Sequence, residues 1–286
     1  MSTTWKPLTL APAAMVDARK QLHWAVQLAA ATADALMESL PDDSHTNLHW
    51  NDASSLLVGN PLPDGYRIAF KLVPFGVHLQ KDGKTVAEFA LSGHTLEEAR
   101  GWLANALSEV VGEKRGGQKL QLKLRDYEMP EHPVATSAAF STGMDAALDE
   151  LGKHFANANL CLKAFADTES RATPVAVWPH HFDIGGIVIL DPNKPFKEAP
   201  QIGFGMSPGD AQIDEPYYYI TPWPLPQGVD LPELASPARW TSKAFTGALL
   251  LASDLIALDA ASQEKTLSEF LRSAIDASIA LLPDQG

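Results

Sequence analysis

The stretch "YRIAFKLVPFGVHLQKDGKTVAEFAL", Tyr66 to Leu91, carries the strongest constraint on how this chain folds. Strand-like runs stand on either side of "KDG". A connection that short joins only antiparallel strands, because a parallel crossover takes a dozen residues or more. Asp82-Gly83 is a hairpin dipeptide whose residues reach φ > 0 at little steric cost. Upstream, "NPLPDG" separates "NLHWNDASSLLVG" from the next run in the same way. Strands that adjoin in sequence are therefore expected to pair with one another.

Helical patterns bracket these strands. From Met15 to Leu40 the apolar residues Leu22, Ala25, Val26, Ala29, Ala33, Leu36, Met37 and Leu40 recur at helical spacing, with Pro41 as the stop. "HTLEEARGWLANALSEVVG" offers Thr95 as N-cap, Glu98 three residues on, one apolar face and Gly112 at its close. A third helix is expected from about Ser141 to Ala166, and two more in "RWTSKAFTGALLLASDLIALD" and "TLSEFLRSAIDASIALL". The class that follows is α+β, antiparallel sheets with flanking helices, rather than a doubly wound parallel sheet.

The order recurs beyond the connector "LRDYEMPEHPVATS". "NLHWNDASSLLVGNPL" and "PVAVWPHHFDIGGIVIL" each follow a long helix, join Trp and His to a later Asp, and end in apolar residues. A duplicated helix-then-sheet unit is expected, with an N-terminal α+β half at 1–130 and a C-terminal α+β half at 131–286, closely packed.

Charge narrows the partners. A net charge of -13 over 286 residues opposes binding to a phosphate backbone, so no nucleic acid is expected. No apolar run approaches the roughly 18 residues of a membrane span, and the N-terminus lacks a basic start followed by an apolar region, so no membrane is expected and the cytoplasm is the expected setting. The one basic concentration, "EKRGGQKLQLKLR" at 113–125, alternates Leu120, Leu122 and Leu124 with Gln121, Lys123 and Arg125. It reads as a half-buried strand with a solvated face. Cys161, the single cysteine, sits in "NANLCLKAF" and reads as a small core residue. Nothing in the sequence sets the oligomeric state.

Two polar clusters are candidate sites. Read as one strand, "VWPHHFDIGGIVIL" puts Trp178, His180, Phe182 and Ile184 on one side and Pro179, His181 and Asp183 on the other. His181 and Asp183 then stand roughly 6.5 Å apart along the strand, a spacing that can hold a shared ligand. His180 falls among aromatic and branched residues, as a neutral core imidazole. In "IGFGMSPGDAQIDEPYYYITPWP", Pro208, Gly209 and Asp210 form a turn, followed by a strand with Tyr217 and Tyr219 on one face and Tyr218 and Ile220 on the other. Its prolines predict an edge strand. Rings beside Asp210, Asp214 and Glu215 would line a pocket for a small polar organic ligand, with His181, Asp183, Asp210, Glu215, Tyr217 and Tyr219 as the binding residues.

Two alternatives stand beside that reading. His181, Asp183 and Glu215, or Asp210 in its place, would suit a divalent metal (Zn, Fe or Mn) in a metal-dependent hydrolase or oxygenase. A protein-interaction module without a pocket would rest on Pro222, Pro224 and Pro226. There is no HExxH, no cysteine pair, no G-x-S-x-G, no GxGxxG and no Walker A, so no motif names a catalytic residue or a nucleotide cofactor.

"NLHWNDASSLLVGNPLP", "WPHHFDI" and "IGFGMSPGDAQIDEPYYYITPWP" resemble, in order, segments of a bacterial family known as domain of unknown function 5996. The third segment is the most specific, with its "GF", "PGD" and "EP" followed by an aromatic strand. The resemblance implies a cytoplasmic bacterial protein and points at His181, Asp183, Asp210 and Glu215. It names no reaction.

Overall fold

The computed structural model describes residues 4–111, 120–225 and 228–282. They form helices and antiparallel strands, an α+β fold. The described residues fall into two compact units, one of 17–152 with 177–182 and one of 4–16, 153–176 and 183–282. The helix α3 (Asp145–Ala166) belongs to the first unit up to Gly152 and to the second from Lys153.

In the first unit α1 (Val16–Leu36) precedes five strands, β1 (Leu48–Asn51), β2 (Leu56–Gly59), β3 (Tyr66–Lys71), β4 (Gly76–Lys81) and β5 (Lys84–Ala90), and α2 (Leu96–Val111) follows them. The strands form a meander, with β6 (Ala176–Trp178) added beside β1 through Leu48 and Val177. The "KDG" hairpin joins β4 to β5, Lys81 pairing with Lys84. Cross-strand register puts Trp50, Leu57, Phe70 and Val77 on one face. All four are buried, on the side that α1 meets where Ala29 approaches Gly59. The expected capping box opens α2: Glu98 N donates to Thr95 Oγ1 at 3.1 Å and Thr95 N to Glu98 Oε2 at 2.7 Å. Gly112, its expected terminator, lies outside the described residues.

In the second unit β7 (Asp183–Ile189), β8 (Gln201–Ser207) and β9 (Tyr217–Trp223) form a meander. The strand β11 (Gly247–Leu251) pairs with β9, and β10 (Arg239–Thr241) with β11 at the edge. α4 (Ala252–Ile256) and α5 (Ala260–Leu281) close the unit, α5 packing on β8, β9 and β11. Ile184, Val188, Ile202, Phe204, Met206, Tyr218, Ile220 and Leu250 form its fully covered face. Each unit thus holds antiparallel strands flanked by helices.

Four local expectations are corrected. "RWTSKAFTGALLLASDLIALD" is no single helix but two strands, Arg239–Thr241 and Gly247–Leu251, and the short helix Ala252–Ile256, since "GALLL" is too short an apolar run for periodicity to tell a buried strand from a helix. β9 is an interior strand with partners on both sides. Its pairing with β11 stops at Ile220, so Pro222, which has no N–H, lies where β11 requires none. Residues 120–125 belong to no strand: Leu120 N donates to Ser108 Oγ at 3.0 Å and Leu122 O accepts from Arg100 Nη1 at 2.7 Å, so side chains of α2 satisfy this backbone. The rest of the expected strand, 113–119, lies outside the described residues.

The fourth correction concerns "VWPHHFD", which is no continuous strand. Residues 179–182 form a turn closed by Phe182 N donating to Trp178 O at 2.7 Å, with Phe182 at φ 58. The four residues after Asn51 make the same turn, with Ser55 N on Asn51 O at 2.7 Å and Ser55 at φ 54. The two turns match in geometry, with Asn51 in the place of Trp178, so the Trp and His letters do not align.

Candidate ligand-binding site

The turn at 179–182 is held from α1. His23 Nε2 donates to Pro179 O at 2.9 Å and Gln27 Nε2 donates to the same oxygen at 2.7 Å, so one helical turn grips one carbonyl. The His23 ring stacks on Phe182, centroids 5.1 Å apart at 13°. Burial pushes the His23 imidazole down to about 4, against the opposing hydrogen bond to Pro179. His180 lies half-buried against Trp178, Tyr127 and His181, and burial together with the neighbouring His181 takes it down to about 4 as well. His181 is exposed at the tip of the turn, its ring 4.3 Å from that of His180. It does not share a strand face with Asp183, because strand alternation stops at the turn.

Four of the six expected binding residues do gather, on the face of the second unit's sheet opposite its covered core. Tyr219 pairs across the sheet with Gly205, and Gly205 with Gly185. The tyrosine ring lies over this row and its hydroxyl donates to Asp183 Oδ2, two residues before Gly185. Only glycine leaves the room: a Cβ on Gly205 would stand 2.6 Å from Tyr219 Cζ and 2.7 Å from Ile184 O. Tyr217 Oη donates to Asp210 Oδ2 at 2.6 Å, while Asp210 Oδ1 accepts from Gln212 N at 2.6 Å and Ile213 N at 2.8 Å. The expected turn at Asp210 is present, closed by these bonds. Phe245, from the segment between β10 and β11, stacks on Tyr217 at 5.8 Å and meets Tyr219 edge-on at 6.2 Å. Burial, reinforced by the adjacent carboxylates, raises both phenols above their ordinary range, so both remain protonated donors.

Glu215 does other work. Its carboxylate accepts from Ser253 N at 2.8 Å and Ser253 Oγ at 3.2 Å, at the start of α4. The metal expectation fails with it: among the described residues no group of three or more His, Cys, Asp or Glu is arranged to hold a metal ion, so His181, Asp183 and Glu215 are not such a set. The proline surface is also reduced, since Pro222 is buried, Pro224 is exposed and Pro226 lies outside the described residues. Burial pushes the Cys161 thiol up to about 12, which disfavours the thiolate.

One polar cluster escaped the sequence reading. Arg125 Nε and Nη2 bind Asp34 at 2.6 and 2.5 Å, and Nη1 reaches Asp43 and the Tyr127 hydroxyl, both at 2.8 Å. His45, 1 % exposed, accepts from Leu40 N at Nδ1, so its Nε2–H donates to Asp34 at 3.0 Å. Burial alone would raise the Asp34 carboxyl, but the bonds from Arg125 and His45 outweigh it and hold it below the usual range. A guanidinium so fully occupied is a structural tie and leaves no room for an external anion. Its partners lie 91 and 82 residues away in the chain, beyond the reach of any local pattern.

Comparisons with protein-family models, with curated proteins and with solved structures find no match to this chain.

Proposed function

We propose that this protein binds a small polar organic molecule carrying an amine or hydroxyl donors, on the sheet face that holds Asp183, Asp210, Tyr217 and Tyr219. The observation that carries the reading is Tyr219 lying across Gly205 and Gly185 to reach Asp183. Glycine within a strand weakens it by roughly 0.5–1 kcal/mol relative to alanine, and here glycine is kept where a close approach needs it, on a face outside the covered core. The result is a pre-organised array of two carboxylates and three rings. Carboxylates accept from a ligand's N–H or O–H groups, and rings of Tyr217, Tyr219 and Phe245 offer flat contact and a negative face for a cation. The acidic balance of the chain favours a cationic or neutral ligand over an anionic one at this face. A cytoplasmic bacterial setting belongs to the same proposal, supported by the family resemblance. Among the described residues no helix is long and apolar enough to cross a membrane.

The test is a thermal-shift series against biogenic amines, quaternary ammonium compounds and polyols, headed by putrescine, choline and inositol. At least one compound is expected to raise the melting temperature saturably, by several degrees at about 100 times its Kd. A response equally large in Asp183→Asn and Tyr219→Phe, or no response across the series, overturns the reading.

A further inference from the structure

We infer that the first unit carries a second, separate site, a cleft on the outer face of its meander that takes a small organic anion. The register places His49 and Asn51 of β1, Val58 of β2, Arg67 of β3 and Gln80 of β4 on one face, opposite the face that buries Trp50, Leu57, Phe70 and Val77. These residues and Ser54, from the turn after β1, line a cleft of about 470 Å³, within the range of small-molecule sites. Val58, 8 % exposed, supplies the apolar floor, and Ala69 lies beside it in one buried cluster. Polar groups form the walls.

Two of those groups are set for a ligand. Gln80 is 7 % exposed as a residue and lines the cleft with its side-chain amide available as both donor and acceptor. Its cross-strand neighbour is Arg67. The Arg67 guanidinium donates through Nη1 to Gly59 O at 3.0 Å, which orients it, and makes no ion pair among the described residues. Elsewhere in the same unit Arg100 and Arg125 are each tied to carboxylates. In a chain with net charge -13, a guanidinium outside any ion pair among the described residues, beside a side-chain amide, is complementary to an anion that also presents a hydrogen-bonding group. Carboxylate and phosphate ester share that chemistry. The ligand class differs from that proposed for the tyrosine face, and the two sites share no residue.

Calorimetric titration of the full chain with benzoate, succinate and glycerol 3-phosphate, each beside an uncharged control (benzamide, succinamide, glycerol), tests the inference. At least one anion is expected to bind saturably while its uncharged control does not, and the carboxylate and phosphate arms identify the headgroup. Arg67→Gln should weaken that binding at least about tenfold, and Gln80→Leu by a smaller factor, with far-UV spectra and melting temperature confirming that both variants fold. Arg100→Gln, which removes a cation already paired with Glu97, should leave the affinity within about twofold. No saturable binding of any anion up to about 10 mM, or an affinity unchanged in folded Arg67→Gln, overturns the inference.

Discussion

Tyr218 and Tyr219 are neighbours in β9 and meet opposite fates. Tyr218 points into the covered core, 0 % exposed, and its hydroxyl has no hydrogen-bond partner among the described residues. Tyr219 points the other way and bonds Asp183. Removing an unsatisfied buried hydroxyl relieves a desolvation penalty, whereas removing a donor from a partly buried carboxylate creates one. Tyr218→Phe is therefore expected to be neutral or to stabilise the protein by up to about 1–2 kcal/mol, and Tyr219→Phe to destabilise it by about 1–3 kcal/mol. Urea unfolding of the two variants side by side checks this. The same sign for both would mean that alternation along β9 does not separate them energetically. That alternation was legible in "PYYYITPWP" itself, because a period of two needs only local sequence. The Tyr219–Asp183 bond was not legible, since it depends on which residues of three strands share one row.

Between elements, the grip of α1 on the turn at 179–182 decides an acid response. The folded chain keeps His23 neutral down to about 4, whereas an unfolded histidine takes its proton near 6.5. Between those values the unfolded state binds more protons than the folded one, so stability falls as pH drops from 6.5 to 4 and is fully present above 6.5. The His23 contribution is on the order of 3 kcal/mol. His180 acts in the same direction over the same window. Denaturant titrations at pH 7.5 and 4.5 should show the wild type losing about 3 kcal/mol more than His23→Gln; equal losses would contradict the buried neutral imidazole. This grip also explains why the turn could not be read in advance. "VWPHHFDIGGIVIL" has the apolar content of a strand, and nothing local requires Phe182 to adopt φ 58. That backbone is stabilised by His23 and Gln27, more than 150 residues away. By contrast, α2 was readable to its cap, because Thr95 and Glu98 satisfy each other across three residues. The sheet offers its own test: Gly205→Ala must displace Tyr219 or push on Ile184 O, and should cost about 1–3 kcal/mol in the same assay. A neutral Gly205→Ala would mean that the close approach is dispensable.

Across the whole molecule, the class of fold followed from short connections and helical periodicity, whereas the site was only half legible. Asp183, Asp210, Tyr217 and Tyr219 gather, while Glu215 caps α4 and His181 stands on an exposed turn. Strand spacing identifies residues on a shared face, but it cannot tell a carboxylate that accepts from a tyrosine of the sheet from one that accepts from a helix terminus. The central claim is that the tyrosine–carboxylate face binds a small polar molecule, and ring-labelled tyrosine NMR addresses it most directly. The chain has 5 tyrosines, so Tyr217→Phe and Tyr219→Phe assign the two signals of interest. On titration with the compound that gives the largest thermal shift among putrescine, choline and inositol, the account predicts saturable movement of the Tyr217 and Tyr219 ring signals while Tyr66, Tyr127 and Tyr218 stay in place. Ring signals of Tyr217 and Tyr219 that remain still at saturation, or that move no more than those of the other three, would contradict it.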